Sequence, residues 1–271
     1  MFTSLKIREF RIFWVAMSVS LMGTWVQGIA QSWLVYQLTG SVFLLGLVGF
    51  LSFLPLSLFS LPSGALVDRM VKRNILLGTQ IAFTLLAFLL AYLVGTGAVR
   101  VWHIVLIAFC NGLVLTLDAP ARQAMVVDLV GKQHLLNAIA LNSAAFNSAR
   151  FVGPALGGIL IAAVGLRGCF YINAISFLPV IAALLFIRPR PVGTMSAKKS
   201  FWSDTLATFS VIKQNPFLLG LFALVGVVSL FGTAYVVLMP VYAKEIFHSD
   251  SRALAILMSA NGLGALIGAL N

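Results

Sequence analysis

The sequence predicts an all-α membrane protein, and three observations support the prediction. Of its 271 residues, 61% are hydrophobic and only 9% are charged, whereas a soluble domain has roughly 25% charged residues. The hydrophobic residues form continuous runs, many of them near the ~20 residues that a helix needs to cross a bilayer. These runs are too long and too continuous for the alternating strands of a membrane barrel. A soluble globular protein and a disordered chain are therefore excluded.

Eight apolar segments are long enough, or nearly long enough, to be membrane spans. By residue number they are 12–36, 42–62, 74–94, 101–121, 137–164, 169–187, 217–239 and 253–270. Thirteen of the eighteen Lys and Arg residues lie on the side of the amino terminus, four lie on the other side, and Arg150 lies within a span. Because basic loops stay in the cytoplasm, we expect a multi-pass protein of the cell (inner) membrane with both termini cytoplasmic.

The linkers divide the chain unevenly. The longest polar stretch, 188–215, begins with Arg-Pro-Arg-Pro, a sequence that ends a helix. Its second part, 201–214, has apolar residues at helical spacing and predicts an amphipathic helix on the inner membrane surface. This pattern predicts two halves, of which the second is truncated after two spans. The expected divisions are a six-helix amino-terminal half (1–190), a cytoplasmic linker with the amphipathic helix (191–215) and the start of a carboxyl-terminal half (216–271).

Several function classes are excluded by the composition. The net charge of +11 comes from residues between apolar runs, so it indicates topology and not nucleic-acid binding. Cys110 and Cys169 both lie within apolar segments, and no His or Cys stands at ligand spacing, so neither a disulfide framework nor a metal site is expected. The sequence lacks a phosphate-binding loop and a nucleophile elbow. We therefore expect no enzyme and no cofactor.

The segment between the second and third spans contains the most specific motif. Residues 64–73 read Gly-Ala-Leu-Val-Asp-Arg-Met-Val-Lys-Arg. The segment resembles the signature of the major facilitator superfamily, except that Val71 stands where that family usually has glycine. The resemblance implies the major facilitator fold, with a six-helix amino-terminal half followed by the first two helices of the second half. In physical terms, Gly64 permits close helix approach, and the charge cluster around Asp68 is suited to hold two half-domains together and release them.

A second motif lies in the fifth span. Residues 150–158 read Arg-Phe-Val-Gly-Pro-Ala-Leu-Gly-Gly and resemble the Gly-Pro-x-x-Gly-Gly signature of antiporters in the same superfamily. The proline removes a backbone hydrogen bond and the glycines thin the helix, so we expect a bend and a close helix contact; the alternative is a passive packing kink. The motif residues are Gly153, Pro154, Gly157 and Gly158. With the 118–124 loop and the 38–41 turn, the whole chain resembles the branch that includes the enterobactin exporter and macrolide efflux proteins.

Asp118 is the one acid that we place inside a span, near the cytoplasmic end of the fourth. An acid at this position in related transporters pairs with the basic loop between the second and third spans. The resemblance therefore implies a gating cluster, while direct protonation during transport and simple helix-end solvation remain alternatives. The cluster would contain Gly64, Asp68, Arg69, Lys72, Arg73 and Asp118.

Arg150 lies near the middle of the fifth span, where a cation costs about 2.5–3.5 kcal/mol on insertion scales. It must therefore face a wet cavity or a partner, and its planar fork suits a carboxylate or phosphate. The alternative is a structural cation bound to carbonyls freed near Pro154. Amides at similar depth, including Asn173, either join helices or line a cavity. The expected substrate cavity contains Gln27, Gln31, Asn111, Asn147 and Arg150.

These features predict a secondary active transporter that exports a small amphipathic or anionic molecule by alternating access. Proton antiport is implied by the resemblance alone. The expected partners are a small-molecule substrate, protons and the lipid bilayer, with no nucleic acid, and the expected state is a monomer. The alternatives are an energy-independent flippase for lysophospholipid or other lipid, which predicts a lateral gap open to the bilayer, and a non-transporting sensor or scaffold, which predicts dry packing in place of a polar cavity.

Overall fold

The structure, a computed structural model, describes residues 3–188, 214–232, 234–248 and 251–270. Within these ranges the chain is helical and contains no strand. A short 3₁₀ helix, Thr3–Lys6, precedes the first long helix and is bound through Ser4, whose backbone N–H donates to the side chain of Asn137 at 3.0 Å.

The first three long helices are α1 (Arg8–Thr39), α2 (Val42–Arg69) and α3 (Lys72–Gly95). Gly40 ends α1 in the left-handed conformation, at φ 59°, which glycine adopts without steric cost. The hydroxyl of Ser41 then caps α2 by accepting a hydrogen bond from the Leu44 N–H at 3.3 Å. A two-residue connection therefore turns the chain between the first two helices.

The next three predicted spans form one nearly continuous helical stretch, Val101–Ser176, followed by Leu178–Phe186. Gly131 (φ 67°, ψ 174°) and Gly165 (φ 69°, ψ 178°) leave the helical conformation and divide the stretch. Only glycine takes such angles readily, so these two residues act as the linkers. We name the resulting helices α4 (101–130), α5 (132–164) and α6 (166–186).

Beyond the linker region lie α7 (Pro216–Gly232) and α8 (Ala234–Val241), which correspond to the seventh predicted span. A π-helical turn, Tyr242–Ile246, ends this span, and α9 (Ser251–Leu270) corresponds to the eighth. The predicted amphipathic helix at 201–214 falls almost entirely on residues outside the described ranges. The predicted division into halves and linker stays a prediction.

By length and composition, four described helical stretches could cross a membrane: Arg8–Thr39, Val42–Ser60, Lys72–Gly95 and Val101–Phe186. The fourth contains α4, α5 and α6, so these stretches correspond to the first six predicted spans. Large apolar side chains such as Phe53 and Leu85, each 63% exposed, cover the outside of the bundle. Such exposure suits a surface in contact with lipid.

Following the predicted orientation, we call the end that contains the turn at Gly40 the outer end and the opposite end the inner end. Two buried apolar clusters hold the first six helices together, one at each end. The inner cluster includes Phe10, Phe13, Leu76, Val126 and Leu184. The outer cluster includes Val26, Leu34, Leu90, Ile104 and Phe170. Since lipid is as apolar as these side chains, close packing and polar contacts between helices decide the arrangement.

Candidate functional site

The glycine-proline segment of α5 packs directly against α1. A Cβ atom added at Gly153 would lie 2.4 Å from the Cβ of Trp25, and one at Gly157 would lie 3.5 Å from the Cβ of Ile29. The first distance is shorter than real carbon contacts, so the missing side chain at Gly153 sets the separation of the two helices. The close helix contact expected from this motif is present. The other motif residues, Pro154 and Gly158, are buried.

Gln27 makes a buried hydrogen bond that joins α1 to α6. The side-chain amide of Asn173 donates to Oε1 of Gln27 at 2.7 Å, and the Ser176 hydroxyl donates to the carbonyl of Asn173 at 2.8 Å. A Cβ added at Gly23 would lie 2.3 Å from the Ser176 hydroxyl, so the two helices approach closely here. Of the two roles that the sequence left open for these amides, this bond favours joining helices.

The other predicted cavity residues are half-buried and lie on three helices: Gln31 on α1, Asn111 on α4, and Asn147 and Arg150 on α5. The side-chain amide of Asn147 donates to the carbonyl of Ser143 in its own helix at 2.8 Å. Within the described part of the chain, Arg150 forms no hydrogen bond or ion pair. Its guanidinium is therefore free to bind an anionic group.

No hydrogen bond among the described residues joins Gln27 to Asn147 or Arg150. Asn173 holds Gln27 toward α6, whereas α5 meets α1 through Gly153, one turn beyond Arg150. The shared cavity of five residues therefore stays a prediction.

Asp118 is a fully buried carboxylate near the inner end of α4, at 0% exposure. Its Oδ1 accepts hydrogen bonds from the Thr79 hydroxyl and the Gln80 amide, each at 2.8 Å. Its Oδ2 pairs with Arg122, one helical turn later. One countercharge and two neutral donors thus offset the cost of burying the charge. Sequence reasoning missed Thr79 and Gln80, because they lie on α3. The four-residue spacing to Arg122 was a readable signal.

The two acids of the predicted gating cluster have different surroundings, since Asp118 is buried and bonded to α3 and Arg122. Asp68 is exposed at the end of α2 and makes no ion pair with any described residue. Arg73, which the sequence placed beside it, donates from Nε to the carbonyl of Leu184 at 2.6 Å and from Nη2 to that of Leu185 at 3.4 Å. Arg73 therefore caps the carboxyl end of α6.

The remaining members of the cluster lie around the same inner surface. Lys72 and Arg73 line a small inner pocket together with Asp128 and Arg188. Arg69 is exposed. A Cβ added at Gly64 would meet no described atom within 4 Å, so the expected close approach of another helix at Gly64 does not occur within the described residues. The gating role of the cluster stays a prediction.

At the outer end, α1 contacts the π-helical turn Tyr242–Ile246. The Tyr36 hydroxyl donates to Oε1 of Glu245 at 3.0 Å, and the ammonium of Lys244 lies 5.2 Å from the centre of the Tyr36 ring. A buried apolar cluster lies on the inner side of these residues. Its buried members are Ile29, Trp33, Met239, Ala243 and Leu254.

A groove of about 830 Å³ runs between α5 and α9. Most of its lining is small or apolar, and its two isoleucines, Ile159 and Ile256, are 64% and 69% exposed. Arg252 lies at its outer end, and the hydroxyl of Ser259 is buried without a hydrogen-bond partner among the described residues. The exposed isoleucines indicate that the groove opens sideways, toward the bilayer.

Comparison with known families gives a match over the whole chain. The family described as "Transmembrane secretion effector" matches residues 1–271. A crystal structure of a bacterial homolog of the human lysosomal transporter Spinster, in an inward-facing and unoccupied conformation, superposes with a TM-score of 0.73 at 15% identity, covering 96% of this chain and 61% of that chain. At this identity the likeness shows the fold.

Three curated relatives align over most of the chain. The staphyloferrin A transporter of Staphylococcus aureus is 24% identical over 92% of this chain and 63% of its own length. Macrolide efflux protein A of Streptococcus pyogenes is 23% identical over 97% and 65%. The enterobactin exporter of Citrobacter koseri is 28% identical over 96% and 62%. The chain therefore spans less than two thirds of the length of these relatives.

Proposed function

The chain belongs to the family of transmembrane secretion effectors in the major facilitator superfamily, and we propose that it exports a small amphipathic or anionic molecule across the cell membrane by alternating access. The family membership and the helical fold confirm the predicted fold class. The matches also confirm the predicted resemblance to macrolide efflux and enterobactin export proteins. Because the chain spans only part of these relatives, the activity, substrate and partners belong to the proposal.

The observation that supports alternating access best is the contact at the outer end between α1 and the helices that follow the first six. Among the described residues, α1 meets the π-helical turn and α9 at the outer end. A pathway closed at its outer end is one of the two states that alternating access requires.

Arg150 is the residue that we propose to bind an anionic group of the substrate. It is half-buried on α5, and no described acid pairs with it. The names of the relatives, for staphyloferrin A, enterobactin and macrolides, supply the first molecules to test. A cation at mid-depth that lacks a protein partner favours a ligand with a carboxylate or phosphate-like group.

We propose proton antiport as the coupling, on the strength of the resemblance of the α5 motif to that of antiporters. Asp118 is the one fully buried acid of the described chain, but Arg122, Thr79 and Gln80 occupy its oxygens. A proton arriving at Asp118 would have to displace these partners. We therefore assign Asp118 to holding the inner ends of α3 and α4 in place for gating, and not to direct proton transfer.

The proposal is tested by export assays on cells that express the chain, with labelled enterobactin, staphyloferrin A and a macrolide as probes. Arg150→Ala is expected to reduce export of an anionic probe at least tenfold, whereas Arg150→Lys retains part of it because the charge remains. Arg100→Ala, at the predicted outer surface, is the matched control and leaves export unchanged. Equal export by wild type and Arg150→Ala would remove Arg150 from the substrate site, and no export of any probe by the wild type would count against these substrates.

The lateral groove favours a second candidate, the flipping of a lipid with a single acyl chain. Its volume of about 830 Å³ and its apolar lining match an acyl chain, and Arg252 at its outer end suits an anionic headgroup. The assay is the transfer of fluorescent lysophospholipid between leaflets of proteoliposomes. Ala162→Phe, which fills the groove, is expected to abolish transfer, whereas Ala144→Phe, also exposed on α5 but outside the groove, preserves it. Transfer unaffected by Ala162→Phe rejects this candidate.

A further inference from the structure

We propose that Tyr36, Lys244 and Glu245 form an outer gate, a polar clamp that holds the transport pathway shut at the outer end and sets how often that end opens. The inference rests on the proposed function, because a gate needs a pathway. Tyr36 belongs to the first six helices, and the two charged residues belong to the π-helical turn that ends the span α7–α8. The hydrogen bond between Tyr36 and Glu245 joins residues that are 209 positions apart in the sequence.

The clamp holds a single aromatic side chain by two different interactions. Glu245 accepts the hydrogen bond of the phenol at 3.0 Å, while Lys244 lies 5.2 Å from the ring centre, within cation–π range. Adjacent residues of opposite charge thus contact the polar tip and the aromatic ring of Tyr36. Both charged residues lie in a π-helical turn, a rare conformation that is frequent at functional sites.

Burial makes the contact specific. Tyr36 is only 3% exposed, and a buried phenol requires a partner for its hydroxyl. Lys244 and Glu245 are exposed, so they can return to water when the contact separates. When the contact separates, Lys244 and Glu245 remain in water and only Tyr36 becomes newly exposed. The contact can therefore open without burying an unpaired charge.

The apolar cluster on the inner side of the clamp provides the seal. Ala243 and Leu254 are completely buried, at 0% exposure, against Ile29 and Trp33 of α1. This buried apolar contact excludes water from the space that its side chains fill. The polar clamp lies next to this seal in sequence, since Ala243 directly precedes Lys244. Movement of the π-helical turn away from Tyr36 would open clamp and seal together.

Other described ionisable groups at the outer end include Arg100, His103, His248 and Arg252. Arg167, near the start of α6, has its guanidinium 5.4 Å from the ring of Tyr171 on the same helix. The neighbouring outer half of α2, residues 42–52, contains no ionisable side chain. Among the described residues, Glu245 is thus the acid at this end that bonds to α1.

The experiment measures the distance across the gate without any substrate. Spin labels are placed at Leu38 and Ile246, which are 45% and 59% exposed at the outer ends of α1 and the π-helical turn. Double electron–electron resonance in proteoliposomes then reports the populations of closed and separated molecules. Tyr36→Phe removes the hydroxyl and keeps the ring, and Glu245→Gln removes the charge and keeps the shape. Tyr92→Phe, an exposed tyrosine on α3, is the control.

We expect Tyr36→Phe, which removes the hydroxyl donor, to raise the ratio of separated to closed molecules by about tenfold, as the loss of a hydrogen bond to a charged acceptor predicts. Glu245→Gln is expected to raise this ratio by less, because the amide oxygen still accepts the hydrogen bond but carries no charge. The double variant is expected to match Tyr36→Phe, because the bond is already absent once the hydroxyl is removed. Unchanged distances, or additive effects in the double variant, overturn the gate. A shift in distance without export of any probe upholds the gate and counts against the proposed function, whereas loss of export without a shift counts against the gate.

Discussion

The contact between α5 and α1 makes the sharpest prediction, because two glycines one turn apart have different surroundings. A Cβ at Gly153 would lie 2.4 Å from the Cβ of Trp25, whereas a Cβ at Gly157 would lie at an ordinary 3.5 Å from Ile29. Gly28, on α1 itself, would place a Cβ in open space. The same substitution, glycine to alanine, is therefore expected to destabilise the fold at Gly153 but not at Gly157 or Gly28.

Gly153→Ala must move α1 and α5 apart by about 1 Å to reach normal contact. Overpacking of this size costs about 1–3 kcal/mol. Gly157→Ala adds a methyl group that fits, and Gly28→Ala adds one that meets no neighbour, so both are expected to be neutral or to stabilise the fold slightly through lower backbone entropy in the unfolded chain. The order of stability is therefore set by contact and not by helix propensity.

Thermal unfolding of the three variants in one detergent, followed by tryptophan fluorescence, measures this order. We expect Gly153→Ala alone to lower the midpoint, by about 2–4 °C per kcal/mol on the scale of soluble proteins of similar size. Similar losses for Gly153→Ala and Gly157→Ala, or no loss for Gly153→Ala, would refute the close contact with Trp25 as the reason for the glycine.

Three other substitutions have specific expected outcomes. Asp118→Asn leaves Arg122 without its countercharge, and we expect a loss of about 1–3 kcal/mol in unfolding free energy, below the value for a fully buried pair because Arg122 is 28% exposed. Asp68→Asn, at an exposed site, should leave stability within about 0.5 kcal/mol yet slow transport turnover more than it weakens substrate binding; normal turnover would reject its gating role. Asn173→Leu leaves Gln27 with an unpaired buried oxygen and is expected to lower the unfolding free energy by about 1–3 kcal/mol. The same thermal assay measures this loss. A neutral result would show that the Gln27 bond does not join α1 to α6.

The positions of the helices were predictable from the sequence because the length of a continuous apolar run is enough to identify a membrane-spanning helix. The predicted span at 74–94 became Lys72–Gly95, and the predicted span at 42–62 became Val42–Arg69. The discrepancy at α2 has a physical reason: the charged end of the motif continues the helix beyond the apolar core, where water satisfies its side chains. The nearly unbroken stretch from Val101 was less predictable, because only the φ values of Gly131 and Gly165 separate its three helices.

The side-chain partners were less predictable than the helices. The sequence identified Asp118 as exceptional by its depth, but it assigned the acid to the loop after α2, whereas the structure binds it to Thr79 and Gln80 of α3. Position along a span gives depth, but not which face of a neighbouring helix lies opposite. For the same reason the sequence grouped Gln27 with Arg150 by depth, while the structure turns Gln27 toward Asn173.

The distribution of strong contacts explains how such a fold can move. Within the first six helices, buried polar bonds at Asp118 and at Gln27 lie between two apolar clusters, so this set of helices resists internal change. Across the outer end, one hydrogen bond and one cation–π contact at Tyr36, together about 2–4 kcal/mol, lie beside the apolar cluster of Ile29, Trp33, Met239, Ala243 and Leu254. Binding a ligand at micromolar affinity releases about 8 kcal/mol. A ligand that binds the conformation with the outer end open more tightly, by a fraction of that free energy, is enough to open the Tyr36 contact. The bonds around Asp118 stay intact, and the helices move as rigid bodies.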